Sequence, residues 1–143
     1  MVAVLGLRTD DWTIRRPGDE PIVWRAPDLS LPSVWIRLLE VWYRFRNYME
    51  VTTFLLGEPQ LLPVLFEAYW HIARCFDPRP QVVLEVAQDP DDDPDAPPQL
   101  LILIQTNLNA PEALSRLDAL DRSWWLDVPW EFRQHLVLDV EYV

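Results

Sequence analysis

The sequence predicts an α+β fold: two N-terminal helices followed by a ββαβ unit, closing as a small mixed three-stranded sheet with helices packed on its faces. Three observations carry this. Residues 31–76 repeat their apolar positions with a helical period, residues 81–106 change to a period of two, and a capped helical stretch at 110–126 precedes a last alternating run at 135–143.

Residues 1–30 are rich in Pro, Asp and Arg. Within them "WTIRRPGDEPIVW" reads as two short extended pieces around the turn signal Pro17-Gly18-Asp19, so an extended arm is expected ahead of a single domain over 31–143. Ser30 is a plausible N-cap for a helix over 31–56. Its period places Val34, Leu38, Val41, Trp42, Phe45 and Met49 inward, with Arg37, Glu40, Arg44 and Asn47 opposite, and it should end by Gly57, where a positive φ is available. A second helix is expected over 60–76. It tolerates Pro63 only in its first turn, turns Leu61, Leu65, Ala68, Tyr69, Ile72 and Phe76 inward, and stops at Asp77-Pro78.

"QVVLEVAQ" (81–88) and "QLLILIQT" (99–106) read as strands joined by the acidic loop "DPDDDPDAPP". The second is apolar on both faces and should be covered on both. Asn109 followed by Glu112, with Pro111 between them, signals the start of the helix over 110–126. That helix groups Leu114, Leu117, Leu120, Trp124, Trp125 and Val128 on the side that must meet the sheet. Asp121 falls inside the same stripe and needs an arginine or an indole N–H, since desolvation would otherwise raise its pKa. In the last strand Leu136, Leu138, Val140 and Tyr142 are expected inward, and His135 is expected to pair with Asp139.

The segments "VVLEVAQDP", "LLILIQTNLNAPEALSRLDALDRSWWLD" and "LVLDVEYV" resemble a group of small bacterial proteins that share an LEV-x-x-DP strand end, a helix closing on Trp-Trp-Leu-Asp and an acidic last strand. The resemblance covers roughly residues 59–143, its most specific element being Trp124-Trp125-Leu126-Asp127. It implies the ββαβ unit and leaves function open.

Composition narrows the function. All 12 basic residues are arginine, so no lysine exists to form a Schiff base or to serve a phosphate loop. The charge is uneven: residues 1–76 carry nine acids against eight arginines, whereas residues 77–143 carry fourteen against four, for a total of −11. Such a surface repels phosphate backbones and attracts a basic partner, so nucleic acid is not expected as a direct partner. The single Cys75 leaves no disulfide within the chain and no Cys cluster for zinc. The N-terminal apolar run is too short for a signal peptide, and no later run reaches about 18 uninterrupted apolar residues. A cytoplasmic protein away from membranes is the expectation.

No cofactor or metal is expected. Gly6, Gly18 and Gly57 are isolated and cannot form a phosphate cradle. Asp89, Asp91, Asp93 and Asp95 alternate as in a calcium loop, yet Pro94 stands where the turn needs Gly and Leu100 where a bidentate Glu belongs. Glu67, His71 and Cys75 lie four apart on the second helix, with His71 placed at its polar edge and no fourth ligand evident.

What remains is an acidic protein-interaction module. Eight tryptophans and five phenylalanines exceed what a core of this size comfortably buries, and Trp and Arg are enriched at interface hot spots. Trp35, Trp42, Tyr43, Trp70 and Trp130 are the rings expected at a partner surface, with Asp91, Asp92, Asp93 and Asp95 attracting a basic protein. The partner is such a protein or a second copy of the chain. The competing reading is a small hydrolase-like enzyme using Asp121 and Asp127 beside Trp124 and Trp125.

Overall fold

The computed structural model describes residues 31–87 and 95–143 in full, and of residues 1–30 only the backbone of three strands. These are β1 (Val2–Val4), β2 (Asp11–Arg15) and β3 (Ile22–Arg25), which form an antiparallel sheet in sequence order, so the expected extended arm contains a strand ladder. The two extended pieces expected around Pro17-Gly18-Asp19 are β2 and β3, which pair Trp12 with Trp24 and Ile14 with Ile22.

The helix expected over 31–56 is broken. Helix α1 (Pro32–Trp42) ends in strand β4 (Tyr43–Phe45), after which Asn47 takes a left-handed φ of 58° and helix α2 (Tyr48–Gly57) begins. Asn is among the few residues that tolerate this region, so it can redirect the chain. The alternation Tyr43-Arg44-Phe45-Arg46, aromatic then charged, suits an edge strand better than a helix. Gly57 does close α2, but without a left-handed turn. Pro59 biases Glu58 away from helical backbone, and the Glu58 N–H donates back to Phe54 and Leu55.

A 3-10 turn (Pro59–Leu61) then leads into α3 (Leu62–Cys75), with Pro63 in the first turn. The loop that follows contains a cis Asp77–Pro78 peptide. The two strands expected over 81–88 and 99–106 are β5 (Val82–Ala87) and β6 (Gln99–Thr106), which pair antiparallel. Helix α4 (Ala110–Ser123) opens with the Asn109 side chain accepting the Glu112 N–H at 3.0 Å. It stops earlier than expected. A 3-10 turn (Trp125–Asp127) and the short α5 (Trp130–Arg133), which the sequence reading lacked, precede β7 (Leu136–Tyr142).

The sheet therefore has four strands, not three, in the order β4-β5-β6-β7. The outer pairs are parallel and the central pair antiparallel. Alternate residues Tyr43, Val82, Leu84, Leu100, Ile102, Ile104 and Leu136 merge with Ile36, Leu39, Val51, Leu55, Leu65, Ile72, Leu120 and Trp124 in one continuous core. Among the described residues the helices thus share one face of the sheet, where helices on both faces were expected. The other face carries Leu101 and Leu103 half-buried, and Arg46 bridges it, meeting Glu85 at 3.2 Å and Glu141 at 2.7 Å while Gln105 donates to Glu141 at 2.9 Å. With Arg46 and Gln105 beside it, the Glu141 carboxyl is lowered to about 2. Val83 is fully buried on this same face. Tyr142, expected inward, is exposed at the end of β7.

Candidate interaction surface

The face that α1 presents to the core is not the one expected. Ile36 and Leu39 are buried, with Tyr43 following just after the helix, while Val34, Leu38, Val41 and Trp42 face out together with Leu31. The reason lies in the break at Tyr43. Phe45 and Met49, which extended the expected stripe, belong to other elements, and Ile36, Leu39 and Tyr43 define the side that meets α3. The helix is apolar on both sides, so one apolar side had to remain outside. Val41 is 76 % exposed and Trp42 41 %.

This outer side is organised by rings. Phe66 of α3 meets Trp35 edge-on at 6.0 Å and Trp42 at 5.2 Å, and Trp42 stacks on Tyr69 at 5.4 Å. Arg79 lies over the far ring of this array, 5.5 Å from the Tyr69 centroid. Trp35, Leu38, Val41, Trp42 and Phe66 enclose a groove of about 390 Å³. Its walls are apolar, and the rings are held by one another, so a partner meets a preformed surface with few rotamers to freeze.

The remaining expected partner residues are distributed differently. Tyr43 is a correction: it is buried, and its hydroxyl donates to the Leu65 carbonyl at 2.5 Å. Burial, followed by the neighbouring Tyr69, pushes its phenol pKa up. Trp70 is half-buried on α3, and Trp130 is 66 % exposed on α5 with Arg133 5.7 Å from its ring centre. Asp91, Asp92 and Asp93 lie outside the described residues, and Asp95 is exposed.

No protein-family model matches the chain, and no curated protein or solved structure matches it significantly. The geometry alone must therefore carry the functional reading.

Sequence reasoning missed a buried polar cluster between α3 and α4. Glu67 and His71 are each 3 % exposed, which corrects the placement of His71 at a polar edge. The Trp124 indole N–H donates to Glu67 Oε1 at 3.2 Å, and the His71 ring stacks on Trp124 at 4.9 Å. Glu67 Oε2 and His71 Nε2 are both buried without a hydrogen-bond partner among the described residues. Desolvation, opposed by the Trp124 N–H, raises Glu67 to about 8, and burial lowers His71 to about 3, so both are neutral near pH 7. The signal was present in the sequence: Val64, Glu67, Ala68, His71 and Ile72 share one helical stripe.

The carboxylates of the enzyme reading do not frame a site. Asp127 is exposed in its 3-10 turn, and Asp121 is half-buried at the end of α4 with no hydrogen-bond partner among the described residues. Desolvation and then Asp118 raise the Asp121 pKa. Trp124 is in the core with its N–H already used, so it cannot act as a stacking platform. Among the described residues no three Asp, Glu, His or Cys groups are placed to hold a metal ion. Nor is any of their helices long and apolar enough to cross a membrane. His135 forms no ion pair with Asp139, whose carboxylate instead accepts the Val140 N–H at 2.8 Å.

Proposed function

We propose that the chain is a non-enzymatic protein-interaction module that engages its partner through the outer side of α1 and the groove it shares with α3. One observation carries this reading: Leu31, Val34, Leu38, Val41 and Trp42 are exposed along one side of α1, beside an apolar groove lined by Trp35, Leu38, Val41, Trp42 and Phe66. Water-exposed strips of this kind are costly in a monomer and mark contact sites. Residues 31–76 carry four arginines and four acids, so this strip lies on a layer without net charge. The acidic second half stays free to steer a basic protein toward the complex or to keep acidic neighbours away.

The test is a photo-reactive amino acid in place of Val41, with the same residue at Glu131 as a control, in cells that express the chain. Protein adducts at position 41 and none at 131 support the reading. Equal labelling at both positions, or none at 41, removes it.

A further inference from the structure

Resting on that reading, we propose that the occupant of the α1 surface is a second copy of this chain, packed α1 against α1 about a two-fold axis with the helices parallel. The spacing of the exposed side chains is the first argument. Within α1, Val34, Leu38 and Val41 are separated by four and three residues, the repeat with which a helix presents a seam to another helix, and exposed Leu31, the residue before the helix, stands three positions ahead of Val34. Seam positions buried against the protein's own sheet would be unremarkable. These four are all exposed, while the core contacts of α1 are made by Ile36 and Leu39 on the other side.

Charge supplies the second argument. With a total of −11, two copies repel each other wherever the second half of the chain is presented. The layer formed by residues 31–76 is neutral and contains the seam, so it offers an approach without that repulsion. The flanks then choose the orientation. In a parallel pair the position just before one seam residue faces the position just after the next seam residue of the other helix, which sets Arg37 against Trp42 of the second copy. Arg37 and Trp42 are both exposed, so this pairing brings no like charges together on either side of the axis. An antiparallel pair centred on Leu38 would instead bring the two Arg37 side chains together. A two-fold arrangement also closes on itself, whereas a head-to-tail contact would leave one copy's strip exposed at each end.

In a parallel two-fold pair every seam residue meets its own counterpart. The full-length chain with Cys75→Ser, carrying either Val34→Cys or Val41→Cys, should therefore form an inter-chain disulfide under mild oxidation, and Arg133→Cys should not. Wild-type protein should sediment as a dimer that dissociates on dilution. Cross-linking at neither seam position, or at Arg133→Cys as readily as at the seam, would overturn the proposal. A wild-type chain that stays monomeric at high concentration would do the same. If that monomer still gave adducts from position 41 in cells, the interaction reading would stand and the second copy alone would be excluded.

Discussion

The Glu67–His71–Trp124 cluster sets how stability depends on pH. Glu67 moves from an ordinary value of 4.5 to about 8 on folding, so the folded state keeps a proton that the unfolded chain loses above 4.5. Its contribution is complete below 4.5 and is lost as pH rises to 8. His71 moves the other way, from 6.5 to about 3, so its contribution is complete above 6.5 and is lost as pH falls to 3. Each slope is about 1.36 kcal/mol per pH unit. Between 4.5 and 6.5 the two oppose each other and stability is flat. From 6.5 to 8 only the Glu67 loss continues, which amounts to about 2 kcal/mol, and from 4.5 down to 3 only the His71 loss remains, again about 2 kcal/mol. Glu141, held low by Arg46, adds a further loss on the acid side. Urea unfolding followed by tryptophan fluorescence at fixed protein concentration would measure this profile. Glu67→Gln keeps the acceptor for the Trp124 N–H and removes the titration, so its stability should rise to pH 6.5 and stay level beyond it. An alkaline decline of equal size in wild type and Glu67→Gln would refute the assignment to this cluster.

Trp124→Ala should cost about 3 to 5 kcal/mol, since a core ring is deleted and Glu67 loses its donor. Trp124→Phe should cost about 1 to 3 kcal/mol, mostly for the stranded carboxyl oxygen; both are read from denaturant midpoints. Trp125 is half-buried against Trp124, so Trp125→Ala should cost less than Trp124→Ala, and a reversed order would mean that the ring placement is wrong. Replacing Asp91, Asp92, Asp93 and Asp95 by Asn should leave the melting midpoint within a few degrees and weaken capture of a basic protein. The remaining binding should depend less on salt.

Much of the sheet was legible because its strands are written in residues with few alternatives. The run over 81–88 is rich in valine and is followed by a turn-rich loop, and Asn109 with Glu112 marks a helix start. The first helix was misread because it is apolar on two sides. Period alone then assigns a stripe but cannot say which stripe faces in, and the side chosen by sequence, Val34–Leu38–Val41, is the one left outside. Strand β4 is three residues long, too short for its alternation to compete with the helical pattern on either side. The buried cluster was hidden for another reason. A Glu and a His one turn apart look like a polar edge until Trp124, more than fifty residues away, supplies the ring and the N–H that make their burial tolerable. Tyr43 misled in the same way, because its acceptor is the carbonyl of Leu65 in α3, more than twenty residues away.

The central claim is that the exposed seam of α1 is an interface and not a displaced piece of core. Light scattering coupled to size-exclusion chromatography, run on wild type and on Leu38→Glu with Val41→Glu, tests it most directly when paired with thermal melts of both. Surface substitutions away from packing change stability by about 0.5 kcal/mol or less each, so the double variant should melt within a few degrees of wild type once both are compared as monomers. The wild-type assembly should exceed the single-chain mass of 16.9 kDa, and the variant should return to it. A variant that unfolds would show that the seam is core, and one that keeps the wild-type assembly mass would place the contact elsewhere.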